Sequence, residues 1–413
     1  MRVQHTICCG MDVHKKSVTA CLMWGPADQE PQFEIRRFGT MTSELKKLSE
    51  WLKQRQCEVA AMESTGAYWK PVWNVLEGQI GLILANAKHV RSLPGEKTDN
   101  KDGKRIASFL RHGLIRSSFV PPQDIRELRD LTRYRKKLLG NGAAERNRIQ
   151  KVLEDANIKL GSVLTDVFGV SGQRMLHEMV EKSVLDIDQV ASLAHWRLQP
   201  KMEALKNALE GRLTPHHRFM MELSLNHMQH IEQQILRLDE EIARHLEPYD
   251  KQYQLLQTIP GIAGNAAASI LAEIGPDVSA FPDDSHLASW SGICPGNNES
   301  AGKKFSTKTR KGNAHLVSTL VESGWGAART NGSQFKARYH RVKTRRGSQR
   351  AIVAVGHSLL RTVFVVLKTG KPYEEPMRPI LNENQRRRKA QRLARELRHL
   401  GFEVALEAKE QGA

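Results

Sequence analysis

The sequence predicts an α/β domain at the N-terminus followed by a mostly α remainder. Three observations carry that reading. Residues 7–85 hold short apolar runs of strand length, first hairpin-spaced and then alternating with helical segments. A seven-residue apolar repeat runs through Met221, Met228, Ile235 and Ile242. Beyond residue 250, helical segments punctuated by Pro and Gly replace strands.

Taken in order, the apolar run Ile7 to Met11 ends at Asp12, and Ser17 to Trp24, rich in Val, Thr and Leu, makes a second strand. A turn at Gly25-Pro26 leads to a third, Gln32 to Phe38. Leu45, Leu48 and Leu52 give Thr42 to Leu52 helical spacing, and Glu58 to Met62 is a strand that runs directly into Glu63. A helix starts near Pro71, GLILANA forms a fifth strand, and DNKDGKRIASFLRHGLI is a helix with Ile106, Phe109 and Leu110 on its apolar face. Strands followed by strand–helix alternation form a mixed sheet.

The acidic residues of this domain stand out. Asp12 and Glu63 each follow a strand run, where open α/β sheets place ligands. Asp99 and Asp102 are three apart at a helix start, so both carboxylates share a face. Four such groups brought together would repel unless a cation lay between them, and oxygen donors suit Mg²⁺ or Mn²⁺. Such ions can activate an attacking oxygen and stabilise a leaving one in phosphodiester chemistry. Asp99 and Asp102 are equally read as first-turn charges that favour the helix dipole. Spacing alone leaves both readings open.

Pro121-Pro122 marks a break. After it, Leu128, Leu131 and Leu138 form a helical stripe flanked by Arg126, Arg129, Arg133, Arg135, Lys136 and Lys137, either a nucleic-acid contact surface or a solvated face. A second long helix runs from Pro215 to about Leu246, with Ile231 and Leu238 filling the heptad. Ser224 and His245 spoil its ends, which favours an intramolecular or dimerising helical pair over a long autonomous coil. Domain boundaries fall at 1–122, 123–250, 251–375 and 376–413.

Leu255 to Gly275 reads as helix, tight turn and Ala-rich helix, resembling a helix–hairpin–helix. Gly261 and Gly264 at its turn could offer backbone amides to a phosphate or simply allow close packing. The segment ASWSGICPGNNESAGKKFSTKTRKGNAHL is dense in glycine and polar residues. Lys303, Lys304, Lys308, Arg310 and Lys311 surround Ser300, whose hydroxyl could attack phosphorus if a base or metal activated it. Such serines are also ordinary loop residues. NQRRRKAQRLARELRHL forms a basic tail able to hold a phosphate backbone without reading bases.

Lys and Arg number 63 against 45 Asp and Glu, a net +18 with neutral histidines. That excess favours an anionic partner, nucleic acid first. Five cysteines without CxxC spacing exclude a disulfide framework or zinc site and read as small hydrophobes in a reducing compartment. The first residues have too short an apolar core for a secretory signal, and no apolar run reaches membrane-span length.

Taken together, GMDVHKKSV, AMESTGAYW, KTDNKDGKRIA, IPGIAGNAAASILAEIG, ASWSGICPGNNESAGKK and TRKGNAHL resemble, in order, the bacterial insertion-sequence transposases of the DEDD kind. The likeness covers nearly all of residues 5–370. It implies an RNase H/RuvC-like N-terminal domain and a C-terminal serine transposase domain. It further implies an acidic quartet of Asp12, Glu63, Asp99 and Asp102 holding metal, and Ser300 as the nucleophile of a covalent serine–DNA intermediate. The partners it implies are donor and target DNA and a structured guide RNA encoded by the element. Assembly is expected as dimers combining into a tetramer, with composite sites between subunits, in the bacterial cytoplasm at the nucleoid. Position 103 departs from the pattern: it is glycine where alanine is expected.

Overall fold

The computed structural model of the chain describes residues 2–64, 66–86, 102–295, 298–300, 303–306, 309–376 and 383–406. Two compact units divide it, one ending at Arg126 and the other beginning at Glu127. The division falls inside the helix Gln123–Asp155, just beyond the Pro121-Pro122 break.

The first unit is built on a five-stranded sheet of order β3-β2-β1-β4-β5. The strands are β1 (Ile7–Val13), β2 (Ser17–Trp24), β3 (Gln32–Gly39), β4 (Val59–Glu63) and β5 (Gly81–Ala85). β1, β2 and β3 pair antiparallel, while β4 is parallel to β1 and β5 to β4. This is the mixed sheet expected from the sequence. β1 contains Asp12, and β4 ends on Glu63.

The two-residue period sends adjacent side chains to opposite faces. Cys9, Met11 and Val13 join Leu45, Leu48, Trp51, Val72 and Leu76 in one core, under the helices Thr42–Gln54 and Trp69–Leu76. Cys8 instead joins Cys21, Val59, Ala61, Ile106, Ala107 and Leu110, under the helix Asp102–Arg111. A sheet covered on both faces explains why ICCGM reads as a continuous apolar run. Burial pushes the Cys8 and Cys57 thiols up to about 12, which fits cysteines that act as small hydrophobes.

The second unit holds the two long helices as an antiparallel pair. Contacts step in opposite directions along Gln123–Asp155 and Pro215–Leu246: Arg135 with Asp239, Glu145 with His227, Asp155 with His217. Met221, Leu225 and Met228 pack with Ile149 and Leu153, so the heptad pattern serves an intramolecular pair. Thr214 and His217 cap Pro215–Leu246 reciprocally, with Pro215 in its first turn. Short helices between residues 160 and 209 complete the core at that end through Leu160, Met175, Leu176, Val190 and Leu205.

Further along, Asp250–Gln257 and Gly264–Ile274 form the expected helical hairpin. Next come a two-stranded ribbon of β6 (Asn298–Ser300) and β7 (Lys303–Ser306) and the helices Ala314–Arg329, Gln334–Arg346 and Ser348–Thr369. Ser348–Thr369 corrects one expectation, because it is long and apolar enough to cross a membrane by length and composition. Its Ala351, Ile352, Val355, Leu359, Leu360 and Val363 are buried within the unit, the pattern of a core helix. His357 and Arg361 interrupt its apolar run in the sequence. The basic tail contains the helix Glu383–His399.

Candidate active site

Pairing of β1 with β4 brings two of the acidic residues together. Cys8 lies opposite Val59 and Met11 opposite Met62, so Asp12 is level with Glu63 on the neighbouring strand. Adjacent strand backbones are about 4.8 Å apart. Cys8 on β1, and Val59 and Ala61 on β4, face the helix Asp102–Arg111. The same period carries Asp12 and Glu63 to that face, and both are half-buried there. Asp12 Oδ2 lies 2.9 Å from His14 Nε2.

Asp102 arrives on this face because its helix lies unusually close to the sheet. A Cβ on Gly10 would sit 2.2 Å from the Gly103 carbonyl oxygen and 2.2 Å from the Ala107 nitrogen. A Cβ on Gly103 would lie 3.1 Å from the Thr19 carbonyl oxygen, and Thr19 is the cross-strand partner of Asp12. The bare backbone at Gly10 thus lets the helix start settle beside the strand that carries Asp12. The other end of the helix is pinned by Arg111, which is fully buried. Its guanidinium donates to the carbonyls of Thr6 (3.0 Å), Gly25 (2.8 Å) and Pro26 (2.8 Å).

Three of the four predicted carboxylates, Asp12, Glu63 and Asp102, therefore share one sheet face. Asp99 lies outside the described residues. By donor chemistry the set fits a hard divalent cation, since every side chain in it offers carboxylate oxygen. Among the described residues, no three His, Cys, Asp or Glu side chains approach closely enough to enclose an ion.

Ser300 is the last residue of β6 and is paired with Lys303, the first of β7. The glycine-rich segment is thus a hairpin rather than an open loop. Its foot is braced by an isolated bridge between Pro295 and Thr309 and by the crossing of Gly292 and Gly312. A Cβ on Gly312 would lie 2.3 Å from the Ser291 carbonyl oxygen. Lys303 and Lys304 belong to β7, Arg310 and Lys311 are exposed at the foot, and Lys308 lies outside the described residues.

The other basic candidates divide by what they touch. Arg133 grips the buried carboxylate of Glu273 at 2.7 and 2.8 Å, and Lys136 reaches Ser318 and Glu322. Lys137 is exposed. Gly261 has φ +84°, and its Cβ would lie 2.3 Å from the Ser323 carbonyl oxygen, so close packing on Ala314–Arg329 requires glycine there. A Cβ on Gly264 would meet the Tyr253 hydroxyl at 2.6 Å. Lys136, Gly261, Ala263, Asn265 and Ser269 nevertheless line one cleft of about 590 Å³.

Sequence reasoning missed Glu273. This residue, 2% exposed, lies in the last turn of the second hairpin helix and also accepts from Asn313 Nδ2 at 2.6 Å. Asn313 caps Ala314–Arg329 immediately beyond the foot of the Ser300 hairpin. Burial opposes ionisation of Glu273, but hydrogen bonds from Arg133 and Asn313 outweigh it and hold the carboxyl below its ordinary value. The only signal in sequence was an acid in an otherwise apolar run, ILAEIG.

Comparison with known proteins adds two family matches. A transposase profile of the DEDD kind, DEDD_Tnp_IS110, matches residues 9–158. A second, described as the transposase IS116/IS110/IS902 family, matches residues 253–340. No curated protein matches the chain. Among solved structures, T. thermophilus RuvC in complex with Holliday junction substrate is similar at 11% identity and a TM-score of 0.22, covering 28% of this chain and 100% of that one.

Proposed function

The chain belongs to the IS116/IS110/IS902 family of transposases, and on that premise we propose that it excises and integrates its insertion sequence through a covalent serine–DNA intermediate, guided by an RNA the element encodes. The observation that carries the catalytic part is the placing of Asp12, Glu63 and Asp102 on one face of the sheet. Guidance by RNA, and assembly as dimers or a tetramer, rest on the resemblance of the whole motif series.

In this reading the Ser300 oxygen attacks a DNA phosphorus, forming a serine–phosphate ester. One phosphorus–oxygen bond to deoxyribose breaks, and the departing oxygen takes up a proton. The serine proton passes to a base, a role open to a carboxylate. Attack by a deoxyribose hydroxyl of the new partner strand reverses these steps and frees the serine. Asp12, Glu63, Asp99 and Asp102 would hold Mg²⁺ or Mn²⁺. When bound, the cation supplies charge stabilisation at the phosphate oxygens. His14 orients the Asp12 carboxylate. Lys303, Lys304, Arg310 and Lys311 offset charge on the phosphate near the hairpin. Lys136, Lys137 and the amides around Gly261 and Gly264 hold the backbone at the helical hairpin.

The test is recombination of a plasmid carrying the element's two ends, with and without the RNA transcribed from its non-coding flank. Wild-type protein with RNA should give the rejoined product, and Ser300→Ala should give none while retaining DNA binding. Full recombination by Ser300→Ala would remove the serine, and full recombination without RNA would remove the guide.

A further inference from the structure

Between Glu322 and Glu374 the chain carries eleven Lys and Arg and no Asp or Glu. Seven of the eleven lie in the fifteen residues from Lys336 to Arg350. Phe335 and Tyr339 anchor the helix Gln334–Arg346 in the core, and Arg341, Lys343, Arg345 and Arg346 are exposed on it. Gly347, at φ +81° with nothing within 4 Å of its Cβ position, turns the chain at an open corner into Ser348–Thr369, where Arg350 is exposed too.

Partnering separates this surface from the other basic helix. In Gln123–Asp155, Arg126, Arg129, Arg133, Arg135 and Lys136 all meet carboxylates: Glu77, Glu273, Glu273, Asp239 and Glu322. Among the described residues, none of Lys336, Arg338, Arg341, Lys343, Arg345, Arg346 or Arg350 makes an ion pair. A solvated charge run normally mixes signs; this one does not.

The cations also crowd. Burial, with Arg341 and Arg361 nearby, holds the Arg338 guanidinium below its ordinary value, and burial with Arg338 and Arg361 does the same to His357. Asp284, bound to Arg361 at 2.6 Å, is the carboxylate that offsets this cluster. A cleft of about 870 Å³ opens beside it, lined by Lys336, Arg338, His340, Arg341 and Ser358. Glu375 also lines the cleft, where it accepts from the Gln334 backbone N–H at 2.5 Å and the Tyr373 hydroxyl at 2.7 Å. Like charges that outnumber the carboxylates beside them favour binding of an anion.

We propose that the face from Lys336 to Arg350, with Arg338 and Arg341 in its cleft, is a phosphodiester-backbone site that holds nucleic acid without reading its bases. A thirteen-residue helix is about 20 Å long, enough to follow several successive phosphates of a strand. The site rests on the reading of the protein as a nucleic-acid enzyme and lies apart in sequence from the Ser300 hairpin and the turn at Gly261. DNA and RNA share the chemistry, and the test separates them.

The full chain and a variant carrying Lys343→Gln, Arg345→Gln, Arg346→Gln and Arg350→Gln are titrated with labelled duplex DNA and with the structured RNA, at several salt concentrations. All four residues are exposed, and unchanged circular dichroism melting checks the fold. Each lost contact should flatten the plot of log affinity against log salt by roughly 0.9 for duplex DNA. The variant's slope should therefore fall by roughly 3 to 4 on the nucleic acid that uses the site. Flattening on RNA alone, on DNA alone or on both identifies the source. Wild-type slopes in the variant on both would overturn the site while leaving the enzyme reading intact. Wild-type protein that binds neither nucleic acid would overturn both.

Discussion

Gly10 on β1 and Gly103 on the helix Asp102–Arg111 meet through bare backbone. A Cβ on Gly10 would stand 2.2 Å from the Gly103 carbonyl oxygen, a separation no packed atom pair adopts. Asp12 is two residues beyond Gly10, and Asp102 is the residue before Gly103, so this crossing sets how closely those carboxylates approach.

Gly10→Ala should force the helix off the sheet. Overpacking of a rigid site costs about 1–3 kcal/mol and more where backbone is the obstacle. Gly103→Ala meets its neighbours at 3.1 and 3.3 Å and also gains up to about 1 kcal/mol of helix propensity, so it should be close to neutral. Urea unfolding of the two variants checks the order. Equal stability of both with wild type would remove the close crossing.

The carboxylates should separate binding from chemistry. Asp12→Asn, Glu63→Gln and Asp102→Asn should each reduce strand cleavage on the order of 100-fold, the scale of losing one charge-stabilising group. DNA affinity should hold. Single-turnover cleavage beside a binding titration, across a Mg²⁺ series, measures both. A variant that cleaves at full rate in limiting Mg²⁺ takes its residue out of the acidic set.

Glu273 makes stability depend on acid. Its folded-state value lies below the ordinary 4.5, so the stability it contributes is present above that value and is lost as pH falls through the lower one. Glu273→Gln leaves Arg129 and Arg133 without their counter-charge and should cost about 3–5 kcal/mol. The variant should also lose part of the wild type's stability change between neutral pH and the folded-state value. Denaturant midpoints across that range give the slope, and parallel curves for the two proteins would argue against the network.

Much of the first unit was legible because both sheet faces are covered. Burial on two sides made strands such as ICCGM and VAAM apolar runs that stand out from helices. Asp12 and Glu63 were recognisable as strand-end acids, but their shared level depends on the register of Met11 with Met62, fifty-one residues apart, which no local pattern records. Gly10 reads as one more small residue of an apolar run, and only the fold brings the backbone of Gly103 and Ala107 against it. Charge was visible everywhere while partners were not. Arg133 looked as free as Lys343, yet Glu273, 140 residues away, occupies the first and no carboxylate among the described residues meets the second. The helices between residues 160 and 209 escaped because all but Val170–Glu181 are too brief to establish a period. Their apolar residues make sense only as one pooled core.

The central claim is that DNA becomes joined to Ser300. Wild-type protein incubated with a DNA substrate nicked so that rejoining is blocked, then digested and analysed by mass spectrometry, reports the attachment point. The account predicts a nucleotide-bearing peptide modified at Ser300 in the wild type and none in Ser300→Ala. Accumulation of free, hydrolysed DNA ends at equal rates in both proteins, with no modified peptide, would contradict it and leave the carboxylates acting on water.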